Sequence, residues 1–200
     1  MHRAYRVPRF AFSLLAAGAL GLVACGQPMS EEPATTEQAA MEEMPAAASP
    51  SADALLSDLT GDWEALRQLL MDIGDEMPAE QFEYKATPDV RSFAEQLMHV
   101  ANAQVGLMAR LDSSMMPPEL PEATEKAAVL QALSDSFDFG ADVLANQTGA
   151  TILETVEGPS YLGTSTRARL VYRAMEHSST EYGVMTVYLR LNDLVPPASQ

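Results

Sequence analysis

Cysteine is almost absent from this sequence: Cys25 is the only one among 200 residues. A disulfide needs two cysteines, so no disulfide within the chain can hold the fold together. The sequence also lacks a glycine-rich phosphate loop, a G-x-S-x-G motif, a C-x-x-C pair and any internal repeat. The usual motifs of nucleotide binding, serine hydrolysis and dithiol redox chemistry are therefore missing.

Basic residues are scarce as well, with 12 lysines and arginines against 28 acidic residues and a formal net charge of −16. Such a chain should be repelled by nucleic acid and by anionic lipid surfaces, so we expect no nucleic-acid partner. The length suits one domain together with terminal segments that are removed or left unfolded.

The N-terminal segment has the pattern of a secretory signal. Three arginines, at positions 3, 6 and 9, precede the apolar run FAFSLLAAGALGLVA, which is too short for a convincing membrane span. Leu22-Val23-Ala24-Cys25 resembles a bacterial lipobox, in which the cysteine is lipidated and the chain is cleaved before it. We therefore predict a signal peptide over residues 1–24 and a lipid anchor on Cys25. An ordinary signal followed by a free cysteine is the alternative.

Cleavage before Cys25 would leave nine basic and 28 acidic residues, a net charge of −19, and no free thiol as a nucleophile. Membrane association would then come from the lipid and not from charge. Gly26 follows the cysteine, where an aspartate would favour retention in the inner membrane of a Gram-negative cell. The expected location is extracytoplasmic, at the periplasmic face of the outer membrane in such a cell.

Residues 25–52 are predicted to be a disordered linker, and residues 53–200 the folded domain. The linker is rich in proline, alanine, serine and glutamate, and it contains no large aliphatic or aromatic residue except methionine. It cannot bury enough apolar surface to offset the entropy lost on ordering. A reach on the order of 25–30 Å would hold the domain clear of the bilayer.

Four segments of the domain show the apolar periodicity of amphipathic helices. We predict them over Asp53 to about Met77, Ser92 to about Leu111, about Ala123 to Asn146, and from a cap at Thr164, Ser165 or Thr166 to about Leu194. The segment ATILETVEGPSYLG between the last two shows no clear periodicity and is expected to be an irregular connection. One apolar stripe on each helix predicts an all-α, four-helix bundle of the up-and-down type or a close variant.

The last helix carries two ionisable residues within its predicted apolar stripe. His177 and Glu181, four residues apart, point the same way into the expected core. They must be satisfied by each other, by other polar groups or by a metal ion. His99, in the second helix, is the only other histidine that cleavage would leave, and it completes a two-histidine, one-carboxylate set suited to a divalent transition metal. The full stripe is Leu170, Ala174, His177, Glu181, Val184, Tyr188, Leu191 and Val195.

From about Leu56 to Ser199 the sequence resembles the DinB-like family of four-helix metalloproteins. The residues that carry the resemblance are P-x-V-R-S-F from Pro88, H-V-A from His99, H-x-x-x-E-Y-G from His177, then V-Y-L-R-L-N and V-P-P towards the C-terminus. In that family, three histidines bind a divalent metal, one from the second helix and two with i, i+4 spacing from the fourth. The resemblance therefore implies that His99, His177 and Glu181 are the metal ligands, with glutamate in place of the third histidine.

The glutamate leaves two interpretations open. It is harder and more anionic than imidazole, so among zinc, nickel, iron and manganese it should favour the last two. It would equally fit a copy of the site that has lost its metal.

The resemblance implies a metal-dependent hydrolase or thiol transferase that acts on a small molecule. The alternative is a non-catalytic binding or scaffold bundle, and a homodimer is one assembly that the sequence allows. No general base is identified, although Gln104 and Tyr182 lie near the ligand positions. Tyr182 is expected to pack in the core, and Arg190 is expected to be a surface charge at the helix end.

Overall fold

The computed structural model describes residues 51–200, so the predicted signal peptide, Cys25 and nearly all of the predicted linker lie outside the described residues. Four long helices make up most of this region: α1 (Ala52–Glu76), α2 (Phe93–Met108), α3 (Lys126–Ala145) and, after the single turn α4 (Gly149–Ile152), α5 (Arg167–Leu191). The predicted all-α, four-helix bundle is thus confirmed. Within residues 51–200, every helix is too short or too polar to cross a bilayer.

The order of the helices around the bundle differs from their order in the chain. Helices α1 and α2 both pack against α3 and α5. Leu97 and Leu130, near the beginnings of α2 and α3, both lie against Gly74 near the end of α1. Beyond the ends of α2 and α3, Asn146 contacts the sulfur of Met115 at 3.1 Å. Helices α2 and α3 therefore run in the same direction, and the fold is the variant of the bundle with parallel middle helices.

The predicted helix starts rest on capping residues that the structure contains. At α2, the Ser92 hydroxyl accepts from the Glu95 amide at 3.2 Å while the Glu95 carboxylate accepts from the Ser92 amide at 2.6 Å, forming the predicted capping box. Thr166 is the N-cap of α5, one of the three candidates. The C-terminal ends of α2 and α5 each lie three residues earlier than predicted. The start of α3 lies three residues later than predicted. After α5, Asp193 takes a left-handed conformation with φ 58°, which stops the helix.

The segment expected to be an irregular connection contains regular structure. After α4, strands β1 (Thr155–Glu157) and β2 (Thr164–Thr166) pair antiparallel, with Val156 opposite Ser165. Gly163, with φ 58°, occupies the left-handed conformation that the turn into β2 requires. Strands of three residues are too short to show an alternating pattern, so this hairpin is stabilised by a pairing that periodicity cannot reveal.

The predicted apolar stripe of α1 forms one side of the core. Leu59, Trp63, Leu66, Leu70, Ile73 and Met77 are all buried, and Leu56 is partly buried. Trp63 contacts α3 closely, since its Nε1 donates to the carbonyl of Phe137 at 3.1 Å and the two ring centroids lie 5.2 Å apart. At one end of the bundle, Phe82 and Tyr188 each pack beside Phe93, with centroid distances of 5.3 and 6.4 Å.

The predicted stripe of α5 is correct at Leu170, Ala174 and Tyr188 but wrong towards its C-terminal end. Val184, Leu191 and Val195 are 39%, 54% and 52% exposed. The buried face is instead rotated towards Leu170, Val171, Ala174, Met175, Ser178, Met185, Tyr188 and Leu189. Burying Met185 and Leu189 removes more apolar surface from water than burying valines would. The rotation moves His177 and Glu181 from the centre of the seam to its half-buried edge.

A small polar network crosses the core where α2, α3 and α5 meet. The side chain of Gln104 is fully buried, donates to the Ser178 hydroxyl at 3.2 Å and accepts from the Ser136 hydroxyl at 2.9 Å. Ser178 in turn donates to the carbonyl of Ala174 at 2.8 Å. Each side chain in this network has a partner, as buried polar groups require.

Ser178→Ala should lower the free energy of unfolding by about 1–3 kcal/mol, because it leaves the buried amide of Gln104 without an acceptor. The control is Ser179→Ala on the exposed side of α5, where the hydroxyl makes the same type of bond, to the carbonyl of Met175 at 2.8 Å. Urea denaturation of both variants measures the difference. Equal stabilities would show that the Gln104 network contributes nothing.

Candidate metal centre

The site lies where α2 and α5 pack side by side in opposite directions. The antiparallel arrangement follows from two contacts: the Tyr188 hydroxyl donates to the carbonyl of Arg91 at 2.6 Å, and Gln104 donates to Ser178. Between these contacts, His99 on α2 faces His177 and Glu181 on α5. The capping box at Ser92 begins α2 two turns before His99, so the imidazole lies within the regular part of the helix.

The structure brings together the three side chains that the sequence singles out. The Nε2 atoms of His99 and His177 lie 3.1 Å apart, and Oε1 of Glu181 lies 3.8 Å from His99 Nε2 and 3.8 Å from His177 Nδ1. One ligand atom from each residue can be chosen so that all lie within 4.8 Å of one another. Ligands about 2.1 Å from a shared ion are themselves about 3.0–3.5 Å apart in octahedral or tetrahedral geometry. The three groups are therefore near metal-binding distance, and their donor atoms fit a divalent transition metal.

The site is half-buried. The side chains of His99, His177 and Glu181 retain 31%, 20% and 14% of their exposure. Three protein ligands leave coordination positions free for water or a substrate, which is the arrangement of catalytic rather than structural metal sites. The remaining exposure gives a small molecule a way to reach them.

The surroundings of both histidines lower their pKa values, which favours the neutral imidazole. Burial lowers the pKa of His99 below its ordinary value, and the charges of Arg91 and His177 lower it further, against the opposing effect of Glu181. Burial also lowers the pKa of His177, and Arg173 and Arg91 add to this while Glu181 opposes it. A neutral imidazole is the form that binds metal, so these shifts favour metal binding at neutral pH.

The metal-free protein should lose stability as the pH falls from 7 towards 5. A histidine whose pKa is lowered by folding binds its proton more tightly in the unfolded chain, so its contribution is complete above the unfolded pKa and is lost on acidification. Urea denaturation at a series of pH values measures this. The His99→Gln, His177→Gln double variant should show a shallower slope between pH 5 and 7, and an unchanged slope would contradict the prediction.

Gln96 holds the carboxylate of Glu181 in place. Its side chain is buried, at 4% exposure, and its Nε2 donates to Oε2 of Glu181, while Oε1 of the same carboxylate faces the histidines. The sequence analysis assigned no role to Gln96, which lies three residues before His99 on α2. The spacing between Gln96 and His99 could have indicated this role, because a residue one turn before a ligand lies on the same face of the helix.

Gln96→Leu should weaken metal binding by about 10–100-fold, the usual cost of removing a group that orients a ligand. Titration with Mn²⁺ and Zn²⁺ measures the affinities, and urea denaturation of the metal-free protein measures stability separately. The control is Gln68→Leu, the same change on α1, where the amide bonds only to Asp72. Metal affinity equal to that of the control would exclude an orienting role for Gln96.

The other residues considered from sequence do not join the three ligands. The amide of Gln104 is engaged by Ser136 and Ser178, so it belongs to the core and cannot act as a base. Tyr182 packs against the core, and its hydroxyl is buried without a hydrogen-bond partner within residues 51–200. Arg190 is exposed near the end of α5 and donates to the Ser199 hydroxyl at 3.4 Å, as expected for a charge at the helix end.

Comparisons with known proteins agree with this fold. The structure is similar to that of a DinB-like protein from Bacillus cereus, with a TM-score of 0.59 and 14% sequence identity over 74% of this chain and 97% of that chain. It is also similar to a DinB-like protein from Bacillus subtilis, with a TM-score of 0.55 and 13% identity over 68% of this chain and 92% of that chain. No curated protein matches the sequence.

At these identities the structural likeness shows the shared fold alone. The family itself is shown by sequence, because residues 58–185 match the model of the DinB superfamily. This match spans more than half of the chain and includes His99, His177 and Glu181. The chain therefore belongs to the DinB superfamily.

Proposed function

We propose that this protein binds a divalent metal ion through His99, His177 and Glu181 and uses it on a small-molecule substrate, as a hydrolase or a thiol transferase. The observation that carries the proposal is the convergence of these three side chains from two helices to within 4.8 Å of one another. Two imidazoles and a carboxylate suit iron, manganese, nickel or zinc, and the carboxylate favours the first two.

A bound ion would supply Lewis acidity, which lowers the pKa of water or of a small thiol. The residues of the chain prepare the site for it. Burial lowers the pKa of His99 and of His177, which favours their neutral forms, and Gln96 orients the carboxylate of Glu181. The half-buried position restricts water while leaving access for a substrate.

A second candidate is a non-catalytic binding or scaffold bundle whose metal site is degenerate. One observation favours it: the polar groups of the site can satisfy one another without a metal. The Nε2 atoms of the two histidines lie at hydrogen-bond distance, 3.1 Å, and Glu181 accepts from Gln96. Such a site costs little when metal-free, because no buried charge is left without a partner.

Elemental analysis of the full chain, purified in a non-ionic detergent without added metal, separates the two candidates. We expect close to one metal ion per chain in the wild type and loss of the metal in a His99→Ala, His177→Ala double variant. A Glu83→Ala, Glu157→Ala double variant, which removes two exposed carboxylates outside the site, should keep the metal. A metal-free wild type that takes up no Mn²⁺, Fe²⁺, Ni²⁺ or Zn²⁺ would contradict the enzyme proposal.

The proposal includes a location. Lipidated Cys25 would anchor the chain at the periplasmic face of the outer membrane of a Gram-negative cell, with residues 26–51 as a tether. It is supported by the arginines, the apolar run and the lipobox-like Leu22-Val23-Ala24-Cys25. Cys25→Ala should abolish lipidation, which mass spectrometry and membrane fractionation measure. Unchanged mass and membrane association in this variant would refute the anchor.

A further inference from the structure

A cleft of about 410 Å³ opens beside the two histidines, on one side of His99. We call it the arginine cleft. Besides His99 and His177, the residues that characterise it are Gly106, Arg110, Tyr161 and Arg173. Its size lies at the lower end of the range of about 300–1,000 Å³ that is typical of small-molecule sites. A ligand in this cleft would therefore lie directly against two of the proposed metal ligands.

The charge of the arginine cleft is opposite to that of the domain. Residues 51–200 contain 9 basic and 23 acidic residues. Of the acidic residues within 51–200, none lines the cleft, whereas two arginines do. A cleft with walls of one charge sign raises the local concentration of ligands of the other sign. In this acidic protein, the arginine cleft is therefore a local site of positive charge.

Arg110 is free to bind a ligand. Among the nine basic residues of the region 51–200, the side chains of Arg91 and Arg110 alone make no hydrogen bond or ion pair with other residues of that region. Arg173, by contrast, pairs with Glu176 and lies 5.7 Å from the ring centroid of Tyr161. The guanidinium of Arg110 thus keeps its five donors available, in a geometry that matches a carboxylate or a phosphate.

We propose that the arginine cleft binds a small organic anion, with its carboxylate or phosphate held by Arg110 and its remaining part directed towards His99 and His177. The ring of Tyr161 offers an apolar face for the organic part of the ligand. The inference rests on the proposed function for the chemistry, and it names the substrate class: a small molecule that carries a negative charge away from the reacting group.

The groove on the other side of His99 is less suited to an anion. It is larger, about 1050 Å³, and it is lined by Lys85 and Arg91 but also by Asp89, Glu95 and Glu122. Lys85 is already paired with Glu95 at 3.0 Å. The acidic residues therefore outnumber the basic ones. This contrast makes Arg91 a matched control for Arg110, because both are arginines whose side chains have no partner within residues 51–200 and both lie in clefts that border His99.

Gly106 offers a second test that leaves the charges unchanged. It lies on α2 facing the arginine cleft, and a Cβ at this position would meet nothing within 4 Å. A larger side chain would therefore occupy the cleft without displacing the core. Gly106→Leu should block the cleft and keep the fold, since leucine is a better helix former than glycine.

The test is titration of the full chain in a non-ionic detergent with phenyl phosphate and with benzoate, followed by ligand-observed NMR. We expect saturable binding of at least one of these anions and no binding of neutral benzyl alcohol. Arg110→Gln and Gly106→Leu should each weaken binding at least 10-fold, while Arg91→Gln should change it less than 2-fold. Thermal unfolding confirms that each variant is folded.

Absence of saturable anion binding, or an equal loss in Arg91→Gln and Arg110→Gln, would overturn the proposal. The titration is carried out on EDTA-treated and on Mn²⁺-loaded protein, so that the two proposals can fail separately. Metal uptake without anion binding would refute the arginine cleft alone. Anion binding that depends on Arg110 in a protein that takes up no metal would refute the metal proposal and support the cleft.

Discussion

Gly140→Ala should lower the free energy of unfolding by about 1–3 kcal/mol, although alanine is the better helix former. A Cβ at Gly140, within α3, would overlap Cζ2 of Trp63, far inside contact distance. The indole cannot easily move away, because it is 1% exposed and its Nε1 donates to the carbonyl of Phe137 at 3.1 Å. The overlap therefore outweighs the gain of about 0.5–1 kcal/mol that alanine brings to a helix interior.

The matched control is Gly61→Ala, in the interior of α1, where a Cβ would meet nothing within 4 Å. Only the helix-propensity effect remains there, so the control should be more stable than the wild type by about 0.5–1 kcal/mol. Urea denaturation measures both changes, and the near-ultraviolet circular dichroism of Trp63 reports whether the indole is displaced. A Gly140→Ala variant as stable as Gly61→Ala would mean that α1 and α3 do not pack as closely as the structure shows.

Removal of a group that orients a ligand reduces metal affinity by about 10–100-fold. Glu181→Ala should reduce it further, because this change removes a ligand itself. Of the three converging side chains, Glu181 is the least exposed, and its carboxylate is the only negative charge among them. Titrations with Mn²⁺ and Zn²⁺ measure the loss. Glu83→Ala removes an exposed carboxylate outside the site and should leave both affinities unchanged.

Glu181→His provides the complementary result, since it installs three imidazoles in place of two. This variant should keep a metal site but shift its preference from Mn²⁺ towards Zn²⁺, because imidazole is a softer ligand than carboxylate. The ratio of the two affinities isolates this effect from any change in stability caused by the loss of the Gln96 contact. Glu181→Ala and Glu181→His variants that bind both ions as the wild type does would exclude Glu181 as a ligand.

The parts of the fold that sequence predicted well depend on neighbouring residues. The buried stripe of α1 follows from apolar residues at steps of three and four, and the capping box of α2 needs only Ser92 and Glu95, three residues apart. The spacing of His177 and Glu181 likewise places both on one face of a helix. His99 joined them as the only other histidine that cleavage would leave, the family resemblance implied the same three residues, and the structure brings His99 beside the other two.

The features that sequence missed depend on which helices meet and at what rotation. The buried face of α5 contains Ser178, Met185 and Leu189, because Gln104 and the neighbouring helices lie on that side. No pattern within the sequence of α5 indicates the position of these neighbours. Gln96 acquires its role only when α5 presents the Glu181 carboxylate to it. The hairpin of β1 and β2 is too short for any periodic signal.

The sequence by itself determined the helical class and the starts of α2 and α5, because helix periodicity and capping are local. It also singled out the three side chains at the candidate metal centre, His177 and Glu181 by their i, i+4 spacing and His99 as the only other histidine that cleavage would leave. Only the tertiary structure decided that the middle helices run parallel, that the centre lies at a half-buried edge, and that the arginine cleft opens beside it. Packing rotates each helix to bury the most apolar surface against its actual neighbours. The same packing brings Arg110, in the turn after α2, and Tyr161, beyond the hairpin strand β1, to one cleft from positions far apart in the chain.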